Sequence, residues 1–120
     1  MADVPTPTSR AARETLAALE RYQLHATQLV GNALDLDLYQ TVTGDIDQVR
    51  RACHGVPHLT GPWVALLIAH AEMMNSLWSG ARPGGAAAAS ERQDLLARTR
   101  AACARLQDVC MQLLRAAGQA

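Results

Sequence analysis

The sequence predicts an all-α fold: a four-helix antiparallel bundle with helices at about 9–31, 36–54, 62–79 and 90–117. Three observations predict it. Of 120 residues, 23 are Ala and 16 are Leu, whereas Val and Ile together number nine and Phe is absent; that balance favours helix over sheet. Apolar residues recur at steps of three and four in four separate stretches, the spacing of one helix face. Between the stretches stand Gly, Pro and Asn or Asp clusters that punctuate helices.

The first helix is expected to start at Thr8 or Ser9, either able to accept a backbone N–H as an N-cap. Its apolar face is Ala12, Leu16, Leu19, Tyr22, Ala26, Leu29, Val30 and Ala33, and Gly31-Asn32 supplies a stop signal. Residues 1–8, with two Pro and little to bury, read as a disordered tail ahead of a single domain over 9–118. The second helix carries the cleanest stripe: Tyr39, Val42, Ile46, Val49 and Cys53. Continuing the first helix straight into it would place the two stripes on opposite sides, at about 100° per residue. A break between Gly31 and Asp37 is therefore expected, with Asp35 or Asp37 as the new cap. His54-Gly55-Val56-Pro57 ends this helix.

The third helix is expected after Thr60-Gly61-Pro62, with Pro in the first turn. Trp63, Leu66, Leu67, His70, Met73, Met74 and Leu77 form its main stripe. Gly80-Ala81-Arg82-Pro83-Gly84-Gly85 reads as a linker, and Ser90 with Gln93 as the capping box of the fourth helix. That last stripe is Leu96, Thr99, Cys103, Leu106, Cys110, Leu113 and Ala117. The helices are unequal in length, which leaves room for an irregular bundle.

Charge excludes some classes of partner. Eleven Arg balance eleven acids and Lys is absent, so the broad positive field of a nucleic-acid binder is missing. The longest apolar run, Trp63–Ala71, falls far short of the roughly 20 residues of a membrane-spanning helix, and the first residues hold no apolar signal core. Three cysteines make an odd count, which speaks against a closed disulfide framework. Together these predict a cytoplasmic, thiol-reducing setting with neither nucleic acid nor membrane as partner.

The third helix stands out because it is apolar nearly all round. Behind its main stripe lie Val64, Ala65, Ile68, Ala69 and Ala71, and only Glu72, Asn75 and Ser76 make it polar. Either this helix is central in an irregular bundle, or its back meets a second chain. The candidate interface is Val64, Ala65, Ile68 and Ala69. Leu24 and Met111, also off their core stripes, add to a partner surface.

Candidates for chemistry are few. His70 lies on a core stripe, where a histidine bonded to a neighbour is the ordinary reading. Histidine phosphotransfer domains also present a bundle His, but their accompanying Lys and Gly pattern is missing. Cys53, Cys103 and Cys110 all fall on core stripes, as small apolar residues do. Cys103 and Cys110 stand about 10 Å apart along one helix, too far to share an ion. A metal site would draw on Cys53, His54, His58, His70 and Cys103 from several helices. No catalytic arrangement, cofactor motif or phosphate-cradling glycine loop is legible. Trp78-Ser79-Gly80 resembles the Trp-x-Gly turn of a family of small secreted helical hairpins; two further helices precede it here, and helix capping accounts for the same three residues.

The sequence therefore predicts a non-enzymatic helical interaction module (adaptor, chaperone or regulator), either a homodimer or the binder of a partner helix. A metal- or ligand-sensing bundle using His70, Cys53 and Cys103 is the alternative.

Overall fold

A computed structural model describes residues 6–32, 35–80 and 89–118. Its four helices are α1 (Pro7–Gly31), α2 (Leu36–Cys53), α3 (Pro57–Gly80) and α4 (Ala89–Ala116). The fold is the expected all-α four-helix bundle.

Helix α1 begins two residues earlier than expected. Thr6 is the N-cap and accepts the Ser9 N–H at 3.0 Å, with Pro7 in the first turn. Pro lacks the N–H that would go unused there, and its φ is already helical. Ser9 thus sits inside the first turn, buried, with its own hydroxyl donating to the Thr6 carbonyl. Of the expected tail, residues 7 and 8 are helical and residues 1–5 lie outside the described residues.

Asp35 caps α2, accepting the Leu38 N–H at 3.0 Å. The α2–α3 corner is very short. Gly55 turns it with φ +79°, where a side chain would be strained, and the Val56 N–H bonds back to the Cys53 carbonyl.

Helix α3 starts at Pro57 rather than Pro62, so Pro62 lies within it. Pro62 leaves the His58 carbonyl without its helical donor, but His58 is exposed and water can take that oxygen. The early turn tucks Val56 and Leu59 into the core, Leu59 completely. That burial offsets a cost that reading Pro62 as a helix start had avoided. Helix α4 starts at Ala89, so Ser90 is already helical and is not the cap; of the expected linker, Gly80 is the last residue of α3 and residues 81–85 fall outside the described residues.

The helices run up, down, up, down. Thr15 meets Cys53 and His25 meets Asp45, which makes α1 and α2 antiparallel. Tyr39 against Trp78 at one end, with Cys53 and Trp63 beside a common cleft at the other, does the same for α2 and α3. Helix α1 packs on both α2 and α4, and α3 packs on α4; of these four main seams the α2–α3 one is by far the thinnest. The core stripes predicted for α1, α2 and α4 are largely buried as expected, including Leu19, Tyr22, Val42, Val49, Cys103 and Leu106. No described helix is long and apolar enough to cross a membrane.

Candidate protein interface

With α4 on one flank and only a thin seam to α2 on the other, α3 is peripheral. Its back is left uncovered by the described helices. Val64 is 44% exposed, Leu67 41%, Ile68 57% and Trp78 56%. Placing α3 at the centre of an irregular bundle, one of the two readings above, is thereby corrected.

The uncovered face differs in detail from the expected one. Val64 and Ile68 lie outward as predicted. Ala65 and Ala69 are partly covered, and Ala69 packs against the core cluster. The reason is angular: Ala69 is one step, about 100°, round from Ile68, on the flank where Glu72 reaches Arg98 of α4 at 3.7 Å. Leu67, assigned above to the core stripe, lies instead with Val64 and Ala71 on the outer arc. Trp78 joins them at the far end, its ring meeting Tyr39 edge-on with centroids 6.0 Å apart. Exposed Leu36 is one turn from Tyr39, so apolar surface continues onto the start of α2. Leu36 carried no signal because its own stripe did not include it, and Trp78 was read only as part of a helix end. Leu24 and Met111 are exposed as expected.

The polar core residues each have a packing role. The Tyr22 hydroxyl lies 2.8 Å from His70 Nδ1, linking α1 to α3 across the core. Burial pushes His70 down from 6.5 to about 4 and the Tyr22 phenol up. Neutral imidazole accepts from the phenol at Nδ1, so one bond serves both groups and the ring proton sits on Nε2. Thr15 donates to the Ala11 carbonyl at 2.8 Å, using its only proton; the Cys53 thiol 3.7 Å away is therefore the donor in their contact. The three thiols are free and buried. Burial pushes Cys103 and Cys110 up to about 12, and it raises Cys53 as well.

These groups form separate layers. Cys103 and His70 lie near Tyr22, whereas Cys53 and Cys110 lie near Thr15. Tyr22 and Thr15 are seven residues apart on α1, about 10 Å. His70 and Cys103 therefore do not converge with Cys53. His54 and His58 are exposed on either side of Gly55, while Cys53 points into the core. Among the described residues no three His, Cys, Asp or Glu side chains gather as a metal site would require. A cleft of about 340 Å³ between α1 and α2 is lined by Glu14, Arg21, Gln48 and Arg51. Its charges are mixed, and Arg51 is already paired with Asp47 at 2.9 Å.

Comparison with known proteins found no matching family model, curated protein or solved structure.

Proposed function

We propose that the chain is a non-enzymatic interaction module of adaptor, chaperone or regulator type, acting in the cytoplasm as a homodimer joined through the outer face of α3. The observation that carries this reading is the outward row of Val64, Leu67, Ile68 and Trp78 on a peripheral helix. Exposed Leu or Val scattered singly is normal on a protein surface, whereas Val64, Leu67, Ile68 and Ala71 follow one another along one helix face, with Trp78 further along it, which supports a contact surface. Helix α3 holds no Lys or Arg, and its single acid, Glu72, faces Arg98. A second copy of the same face therefore brings no like charges together. Three reduced, buried thiols suit a cytoplasmic setting.

Ile68→Glu tests the reading. Ile68 is more than half exposed, and Glu is at least as good a helix former as Ile. The variant is expected to keep its helical circular dichroism while light scattering changes from dimer to monomer. A wild-type chain that is monomeric at every concentration refutes the proposal.

A further inference from the structure

Core residues of the four helices can be set level with one another from the contacts between them. Thr15 of α1 touches Cys53 of α2, with Oγ1 and Sγ 3.7 Å apart. Tyr22 of α1 is bonded to His70 of α3. These two helices run the same way, so Thr15, seven residues before Tyr22, is level with Trp63, seven before His70. Thr99 of α4 meets Met73 of α3 at 3.7 Å. Those two helices run oppositely, so ten residues back from Met73 faces ten residues on from Thr99. Trp63 is thereby level with Val109 and Cys110. Thr15, Cys53, Trp63 and Cys110 share one layer, and its two cysteines are 4% and 0% exposed. Cys103 belongs to the layer of Tyr22, two turns away along α4.

Within the layer the two sulfurs are neighbours. The Thr15 hydroxyl acts on both thiols, and Cys53 and Cys110 would repel each other if ionised, both of which require close range. A cleft of about 170 Å³ at the α2–α3 corner, lined by Arg50, Cys53, His54 and Trp63 among others, brings solvent to the Cys53 side. Cys110 lies behind Cys53, in the core.

Two adjoining core thiols can join as a disulfide or hold a soft ion between them. A disulfide needs Cα atoms within about 6.8 Å and sulfurs at about 2.05 Å. Helices α2 and α4 stand diagonally across the bundle with no main seam between them, so a disulfide would have to draw their backbones together. A metal bridge is longer: two metal–sulfur bonds of about 2.3 Å set the sulfurs roughly 4.5 Å apart. The ligand count then selects the ion. Zinc in a closed site takes four ligands, and among the described residues no third His, Cys, Asp or Glu side chain joins the pair. Thiolates are soft ligands that select copper(I), and a monovalent d10 ion of that kind is satisfied by two sulfurs in line.

We propose that Cys53 and Cys110 bind one soft monovalent cation of the copper(I) type as two opposed thiolates, reached through the cleft at the α2–α3 corner. Binding displaces both thiol protons to water and transfers no electron. It leaves one net negative charge on the ion and its two sulfurs, with Arg50 lining the cleft beside them. The site lies within one chain and does not depend on self-association through α3.

Copper(I) competition tests the site on the reduced, full-length chain without oxygen, with bicinchoninate as the coloured competing chelator. The wild type is expected to withdraw one copper(I) per chain. Cys53→Ser and Cys110→Ser should each lower the affinity at least about a hundredfold, since even the groups that only orient a ligand cost 10–100-fold when removed. Cys103→Ser, an equally buried thiol in the next layer, should bind as the wild type does. Circular dichroism checks that each variant keeps its helices. A wild type that leaves all copper with the chelator overturns the proposal. So does a Cys103→Ser variant as impaired as the other two, or a full affinity in Cys53→Ser or Cys110→Ser. X-ray absorption at the copper edge of the loaded wild type decides the matter even if a variant fails to fold. Two sulfur neighbours and no nitrogen support the dithiolate site, and a nitrogen ligand or a coordination number above two contradicts it.

Discussion

Acidification should loosen the bundle through one buried ring. His70 is only 8% exposed and accepts the Tyr22 phenol proton at Nδ1. Protonating it places a charge in the core and turns Nδ1 from an acceptor into a donor, so the phenol oxygen can only accept from it and the phenol proton loses its only observed acceptor. The folded-state value, about 4, lies below the ordinary 6.5. The unfolded chain therefore binds this proton more readily, and stability falls as pH falls. The contribution of neutral His70 is complete above 6.5 and is lost progressively down to about 4. At about 1.4 kcal/mol per pH unit, that interval is worth about 3 kcal/mol. A domain of this size has about 6–18 kcal/mol to lose, on the order of 0.05–0.15 kcal/mol per residue. Urea unfolding of wild type and His70→Gln across pH 4 to 7 isolates the effect, because carboxylates and the other three histidines titrate in both chains. The wild type should lose about 3 kcal/mol more than the variant on going to pH 4. Parallel curves would refute the assignment of His70 as a neutral core acceptor.

The other predictions concern the corner and the thiols. Leu59→Ala should cost 2–5 kcal/mol by emptying a fully buried site; a cost under 1 kcal/mol in thermal or urea unfolding would show that the α3 start does not pack at Pro57. The three cysteines should react with a thiol reagent at pH 8 only as fast as the chain opens, since they are buried and their thiolate forms are disfavoured. A stoichiometric burst from any of them contradicts this.

The fold was largely legible because its signals are local and repeated. The stripe from Tyr39 to Cys53 and the Asp35 cap follow from helix period and capping alone, and both are found. The α3 start was not legible, because Pro62 reads locally as a beginning. Only the complete burial of Leu59, a tertiary effect, shows that the helix extends through it. The outward face of α3 was half legible. Composition marked α3 as too apolar for one polar face, but periodicity alone could not tell which flank α4 would cover. Ala69 was therefore placed outside and Leu67 inside, when the packing reverses them. Trp78 reads as part of a helix end, because a tryptophan there is equally consistent with capping and with an outward face.

Sedimentation equilibrium of the wild-type chain over a wide concentration range tests the self-association claim most directly. A mass rising smoothly from about 12.9 kDa towards twice that value is expected. A single mass of one chain at every loading would mean that Val64, Ile68 and Trp78 stay in contact with water, and the α3 face would have no partner among its own copies.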